Sequence, residues 1–281
     1  MIDLLTQIAQ QENFKLSRFR NLAGGSINDV FLLQTNLGKQ VVKINKASKF
    51  PGMFEAEKIG LECLKKATKL DVPRVLGLGK IHTTAYLLLE YKETGTPIQG
   101  FWENFGEGLA ELHRCTAFFF GFYSANYIGS LPQFNEKETT ASAFYINQRL
   151  KPQFRMAAEK GFSFKNLHLF YQNILQEIPD EKPALIHGDL WGGNFLVNKK
   201  GLPCLIDPAV CFAPREMDLA MMKIFGGFPS EIFSIYDEKF PLAPGFETRI
   251  PLWQLYYLLV HLNIFGSSYL SQVEEIVRNY S

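Results

Sequence analysis

The chain is poor in cysteine, shows no excess of either charge and has no apolar run long enough for a bilayer, and each shortage removes a class of protein. Four of 281 residues are cysteines (Cys63, Cys115, Cys204, Cys211), with no CxxC pair. Neither a disulfide framework nor a thiolate zinc site is expected, and a reducing cytoplasm suits such a chain. Lys and Arg number 29 against 28 Asp and Glu, without a run of like charge. That balance leaves no electrostatic footprint for nucleic acid or an anionic membrane, so neither is expected as a partner. The longest apolar stretch, Leu252 to Phe265, is interrupted by Gln254, His261 and Asn263, which predicts a buried helix. The N-terminal MIDLLTQIAQQENFK has no basic start and no apolar core of a secretory signal; it reads as an opening helix.

What is present supports a folded core: 47% hydrophobic and 20% charged residues, enough for one large or two modest domains. Residues 18–45 alternate apolar and polar positions around Asn36-Leu37-Gly38-Lys39, a hairpin signature. Residues 53–66 switch to helical period, and Val75 to Tyr91 return to strand-like runs. From Phe101 onward the pattern is mostly helical (Phe101–Arg114, Thr139–Lys160, Leu167–Glu177, Glu216–Phe225, Leu252–Leu270), with short strands at Phe195–Val197 and Cys204–Ile206. A β-rich lobe, residues 1–93, therefore precedes a mainly α-helical one, residues 94–281, with a Gly/Pro-containing linker at 92–97.

The strongest chemical signal is LIHGDLWGGNFLVN, residues 185–198. Phosphoryl transfer asks for one carboxylate to accept the proton of the attacking hydroxyl and for oxygen ligands that hold Mg²⁺ on the phosphates. Asp189 and, five positions on, Asn194 match those two roles in the catalytic loop of protein-kinase-like enzymes; the ordinary alternative is a turn whose Asp and Asn bond the backbone. Asp207, closing the strand Cys204-Leu205-Ile206, stands where a second metal carboxylate belongs. Gly24, Gly25, Ser26 and Asn28 form a phosphate-loop candidate that matches neither GxGxxG nor GxxxxGK[ST], so Rossmann and Walker readings lose support. Lys43 lies mid-strand on one face with Val41 and Asn45. Glu57 lies within the apolar stripe Phe54, Leu61, Leu64 of the following helix, and a carboxylate there needs a cation, for which Lys43 is the candidate. Glu90, Tyr91 and Lys92 end a strand where the linker begins, so their main chain is placed to bond an adenine edge. His113 and His261 read as packed core histidines.

Together AGGSIN, VVKIN, FEAEKIGL, LAELHR, NYIGSLPQFN, LIHGDLWGGN, IDPAV, REMDLAM and YYLLVHLNIFGSSYL resemble, in that order and over nearly the whole chain, the fructosamine/ketosamine-3-kinase family, relatives of the aminoglycoside phosphotransferases. The resemblance implies an α+β, two-lobed protein-kinase-like fold. It further implies ATP- and Mg²⁺-dependent phosphorylation of the 3-hydroxyl of ketosamines on free or protein amines, which promotes deglycation. Carried over by residue, it makes Asp189 the base and Asn194 and Asp207 metal ligands. Lys43 with Glu57 becomes a phosphate clamp, and Gly24 to Asn28 cover the nucleotide. His187 and Asp218 support the catalytic loop, while Trp191 and Glu216 border the substrate pocket. Kinases of another small alcohol, choline-like or aminoglycoside-like, and a nucleotide-binding scaffold without turnover are the competing readings. Ser26 departs from the acidic residue or cysteine common at its position, so thiol-based control there is not expected. Pro214 leaves the geometry of Arg215 and Glu216 open.

Overall fold

The computed structural model describes residues 1–22 and 27–281. Helix α1 (Ile2–Gln11) buries Leu5, Ile8 and Ala9, spaced for one helical face. Strands β1 (Leu16–Asn21), β2 (Asp29–Thr35) and β3 (Gly38–Lys46) follow. The β2–β3 turn falls where the sequence places it, closed by the Thr35–Gly38 pair with Gly38 at φ +100°. After helix α2 (Met53–Ala67), strands β4 (Val75–Ile81) and β5 (Thr84–Glu90) complete an antiparallel sheet ordered β1-β2-β3-β5-β4.

Strand alternation decides what each face of β3 does. Val42 and Ile44 pack with Leu33, Tyr86 and Leu88 beneath α1. Lys43 and Asn45 point the other way, into the cleft, yet are only 7% and 9% exposed. Helix α2 lies on the cleft side, with Phe54, Leu61 and Leu64 buried in one stripe, and its contacts run to β4, β5 and the second part of the chain.

That second part contains helix α3 (Phe101–His113), the hairpin β6 (Asn126–Ile128) and β7 (Leu131–Gln133), and α4 (Ala141–Phe144). A π-helical turn (Tyr145–Leu150) leads from α4 into α5 (Lys151–Glu159), followed by α6 (Leu167–Glu177). Strands β8 (Ala184–Ile186), β9 (Phe195–Val197), β10 (Pro203–Leu205) and β11 (Cys211–Ala213) come next, then α7 (Glu216–Ile224), α8 (Ser230–Lys239), α9 (Phe246–Phe265) and α10 (Leu270–Asn279). Helix α9 is the axis of this lobe: Leu252, Trp253, Leu255, Tyr256, Leu259 and Leu262 are buried on all sides of it, as expected of a helix apolar all round. The fold is α+β and two-lobed. No described helix is long and apolar enough to cross a membrane.

Three elements depart from sequence expectation for identifiable reasons. The helix expected over Thr139–Lys160 is interrupted by the π turn just before Pro152, which lacks the N–H an unbroken ladder requires. The late helix begins at Phe246, passes Pro251 and stops at Phe265, where Gly266 adopts φ +90°; the residues beyond it form the separate α10. Strands β6, β7, β8 and β11 have three residues each, too few to show a period in the sequence.

Candidate active site

Pairing of β8 with β11 and of β9 with β10 fixes the two ends of the loop His187–Asn194 and delivers Asp207 beside it. The loop hangs on Asp218, fully buried in the first turn of α7. Its Oδ2 accepts the His187 amide at 2.7 Å and its Oδ1 the Gly188 amide at 2.8 Å. Gly188 has φ +82°, and a Cβ there would run into the Ala209 carbonyl, so the position tolerates only glycine. His187 Nε2 donates to the Ile206 carbonyl (2.9 Å) and Nδ1 accepts the Asp189 amide (3.3 Å). Burial lowers the His187 pKa, which keeps the ring neutral in the tautomer those bonds need. The Ala209 amide donates to the His187 carbonyl at 2.9 Å, tying the segment after Asp207 to the same loop.

Asp189 emerges half-buried from this frame. Asn194 Nδ2 donates to its Oδ2 (3.0 Å) and to its carbonyl (2.8 Å), which turns the Asn194 amide oxygen outward. Loss of hydration pushes the Asp189 carboxyl up to about 7, against the Asn194 hydrogen bond and with help from the charges of Asp207 and Asp218. Across the cleft, Lys43 Nζ meets Glu57 Oε1 and Asp207 Oδ1, each at 2.6 Å. Burial opposes the ammonium charge, but Asp207 and then Glu57 overcome it and hold the Lys43 pKa above its ordinary range. Asp207 itself is 46% exposed at the side chain and sits at φ +55°, a left-handed conformation that Asp tolerates better than most residues.

These groups line one cavity of about 670 Å³ between the lobes, together with Asn28, Trp191, Tyr127 and residues of α7 and α9. Asn28 accepts a hydrogen bond from Asn45 Nδ2 at 3.0 Å. Trp191 is 40% exposed; its ring folds back over Gly193, where any Cβ would clash with it. Asp207 Oδ2 and Asn194 Oδ1 give one carboxylate and one amide oxygen beside a lysine. That is a fitting donor set for Mg²⁺, which takes few protein ligands and completes its shell with phosphate and water oxygens.

Several expected residues lie elsewhere. Gly24, Gly25 and Ser26 fall outside the described residues. Glu216 does not border the cavity: it is fully buried, bridged bidentately by Arg249 (2.6 and 2.9 Å) and bonded by Trp253 Nε1 (2.7 Å). Its sequence neighbour Arg215 turns to Glu181 (2.7 Å), so both members of the pair hold the lobe together. Glu90, Tyr91 and Lys92 are not among the cavity's lining residues. The Glu90 amide is committed to the Arg74 carbonyl (2.9 Å) and the Lys92 ammonium to Asp71 (2.7 Å). His113 is packed as expected, between Tyr236 Oη (2.8 Å) and Asp218 (3.2 Å). His261 is not a core histidine, because it lines the cavity.

Sequence reasoning gives no role to the NYIGSLPQFN segment, which the structure supplies. Asn126 donates to the Val210 carbonyl (2.9 Å) and Gln133 to the Ala209 carbonyl (3.1 Å) and to Asn126 Oδ1 (2.8 Å). Tyr256 on α9 donates to Gln133 Oε1 (2.7 Å). The hairpin thereby grips the main chain two and three residues after Asp207, a contact between segments too distant in sequence for any spacing to reveal.

This arrangement has relatives. The fructosamine kinase family model matches residues 1–281. A Lactiplantibacillus plantarum chain described as a ketoamine kinase is 36% identical, covering 98% of this chain and 98% of its own. Mouse ketosamine-3-kinase is 34% identical over 92% of this chain and 93% of its own. A crystal structure described as a fructosamine-3-kinase, from Haemophilus somnus 129PT, superposes with a TM-score of 0.89 at 28% identity, covering 98% of this chain and 96% of that one. With its whole length matched and its catalytic-loop framework in place, the chain belongs to the fructosamine kinase family.

Proposed function

We propose that this protein transfers the γ-phosphoryl group of ATP to the 3-hydroxyl of a ketosamine, on a free amine or on a glycated protein. The observation that carries the reading is the convergence of Asp189, Asn194, Asp207, Lys43 and Glu57 on one cleft. Asp189 accepts the proton as the sugar oxygen attacks phosphorus and the bond to the β–γ bridging oxygen breaks, releasing ADP; a carboxyl poised near neutrality suits a base at physiological pH. Asn194 and Asp207 would hold Mg²⁺, which when bound neutralises phosphate charge. Lys43, oriented by Glu57, contacts phosphate oxygens, and Asn28 lies at the nucleotide side of the cavity. Residues 1–93 form the nucleotide lobe and residues 94–281 the catalytic and substrate lobe. Four free cysteines are consistent with a reducing, cytoplasmic setting.

The test is incubation with Mg-ATP and, separately, ribulosamine, fructosamine, a glycated peptide, choline and an aminoglycoside, with ADP release measured and the phosphate located by NMR. Phosphate on the sugar 3-oxygen of at least one ketosamine is the expected result. ADP release only with the last two compounds, or with none, would remove the assignment.

A further inference from the structure

The two ends of the cavity differ in chemistry. At the end formed by β3 and α2, the lining includes Lys43, Lys49, Glu57 and Asn28. At the end formed by α7 and α9, the lining is Phe225, His261, Ile264, Phe265 and Tyr269, with Trp191 alongside from the catalytic loop. Beyond Asp189, no carboxylate and no lysine or arginine line this second end among the described residues.

The rings there are grouped. Around His261 stand Phe225, Tyr269 and Phe265, with ring centroids at 4.7, 5.1 and 5.5 Å. Phe225 and Phe265 remain 41% and 56% exposed, an unusual state for large apolar side chains clustered on one wall. Three glycines hold the wall against the catalytic loop: at Gly192 a Cβ would meet the Gly226 carbonyl at 3.3 Å and Gly227 Cα at 3.4 Å, so the turn that follows Phe225 packs directly on the turn that follows Trp191. His261 Nδ1 faces the Tyr257 carbonyl at 2.8 Å and therefore carries the proton, leaving Nε2 as an acceptor. Burial also lowers the His261 pKa, so the wall presents a neutral acceptor among π faces.

We infer that this wall is the subsite for the amine portion of the substrate: it takes a protonated secondary amine and the apolar or aromatic substituent that the nitrogen carries. The inference rests on the ketosamine reading. In a ketosamine the nitrogen is four bonds from the 3-oxygen, so a 3-hydroxyl presented to Asp189 brings the amine and its substituent against the neighbouring wall. Aromatic faces attract an ammonium without a counter-carboxylate, and His261 Nε2 accepts one of its N–H groups. Within the cavity the wall offers no cation to an amine substituent bearing a carboxylate, and Lys223, which lines the neighbouring pocket beyond Phe225 and Tyr269, is held by Glu247 at 3.0 Å, so such adducts are disfavoured.

The experiment compares kcat/KM for the ribulose adducts of benzylamine, methylamine and glycine in the wild type and in Phe225→Ala, Phe265→Ala and Phe265→Leu. The wild type is expected to prefer the benzylamine adduct over the methylamine adduct about tenfold and to use the glycine adduct least. Each alanine variant moves the benzyl-to-methyl ratio toward one, and Phe265→Leu, which keeps apolar area but loses the ring, falls between. Thermal stabilisation by Mg-ATP monitors folding of every variant. A wild-type ratio near one, or a ratio that survives all three replacements in folded protein, overturns the subsite. Failure of the wild type to phosphorylate any ketosamine overturns the proposed function itself, and the subsite with it, an outcome distinct from turnover without discrimination.

Discussion

Lys43 on β3 and Asp207 after β10, 164 residues apart in sequence, meet at 2.6 Å across the cleft, while Glu57 holds the same ammonium at 2.6 Å from α2. One cation thus serves two carboxylates on different lobes. Replacing it by Met leaves Glu57 buried without a partner, the costly half of breaking a buried pair. Lys43→Met is expected to lower kcat/KM for ATP about 10- to 100-fold, the worth of a charge-assisted hydrogen bond to phosphate, and to lower the melting temperature. Steady-state kinetics with ATP varied, alongside thermal denaturation, decides; unchanged ATP kinetics would separate Lys43 from the nucleotide.

The pH dependence of the acceptor reaction follows from Asp189. In its proposed role as base it must be ionised, and burial holds its carboxyl up at about 7. For the free enzyme, kcat/KM for the ketosamine should fall about tenfold per pH unit below that point. Asp189→Asn should lower kcat about 10²- to 10⁴-fold with the fold intact.

Stability carries the opposite sign. A carboxyl raised from 3.8 to about 7 binds its proton more tightly in the folded state than in the unfolded chain. Its contribution to stability is present in full below the unfolded value and is lost as pH rises through about 7. Asp189→Asn should therefore stabilise the nucleotide-free protein at about pH 8 more than at about pH 5, as read from urea midpoints. An equal effect at both pH values would contradict the raised carboxyl.

The grip of the β6–β7 hairpin gives a prediction away from any reacting atom. Gln133→Leu leaves the Tyr256 hydroxyl without its acceptor and the Ala209 carbonyl without its donor, at about 1–3 kcal/mol for each buried group left unpaired. Because Ala209 lies two residues beyond Asp207, the variant is also expected to need more Mg²⁺ for half-maximal activity. Gln133→Glu retains the acceptor for Tyr256 but turns a buried carboxylate oxygen toward the Ala209 carbonyl and Asn126 Oδ1, both acceptors, so it should recover neither stability nor the Mg²⁺ requirement. A magnesium titration of all three proteins tests the pair of effects.

Much of this site is legible in the sequence wherever chemistry and spacing coincide. HGDLWGGN fixes Asp189 and Asn194 by their separation, and the stripe Phe54, Leu61, Leu64 exposes Glu57 as a carboxylate needing a cation, which Lys43 supplies. Glu216 misleads because an acid beside a motif looks like a substrate ligand; only the fold brings Arg249 and Trp253 to it from α9. His261 misleads in the other direction. On an otherwise apolar helix it reads as core, and nothing local reveals that this stretch of α9 faces a cavity. The hairpin residues Asn126 and Gln133 act through main-chain carbonyls, which leave no mark on the sequence of the segment they hold.

The buried carboxylate of Asp218 has a reach of its own. It is bonded to His113, His113 to Tyr236, Tyr236 to Arg215, and Arg215 to the half-buried Glu181. A tally of inactivating substitutions across the gene would accordingly be expected to follow this chain of contacts from the catalytic loop to Glu181, a residue that lines no part of the cavity.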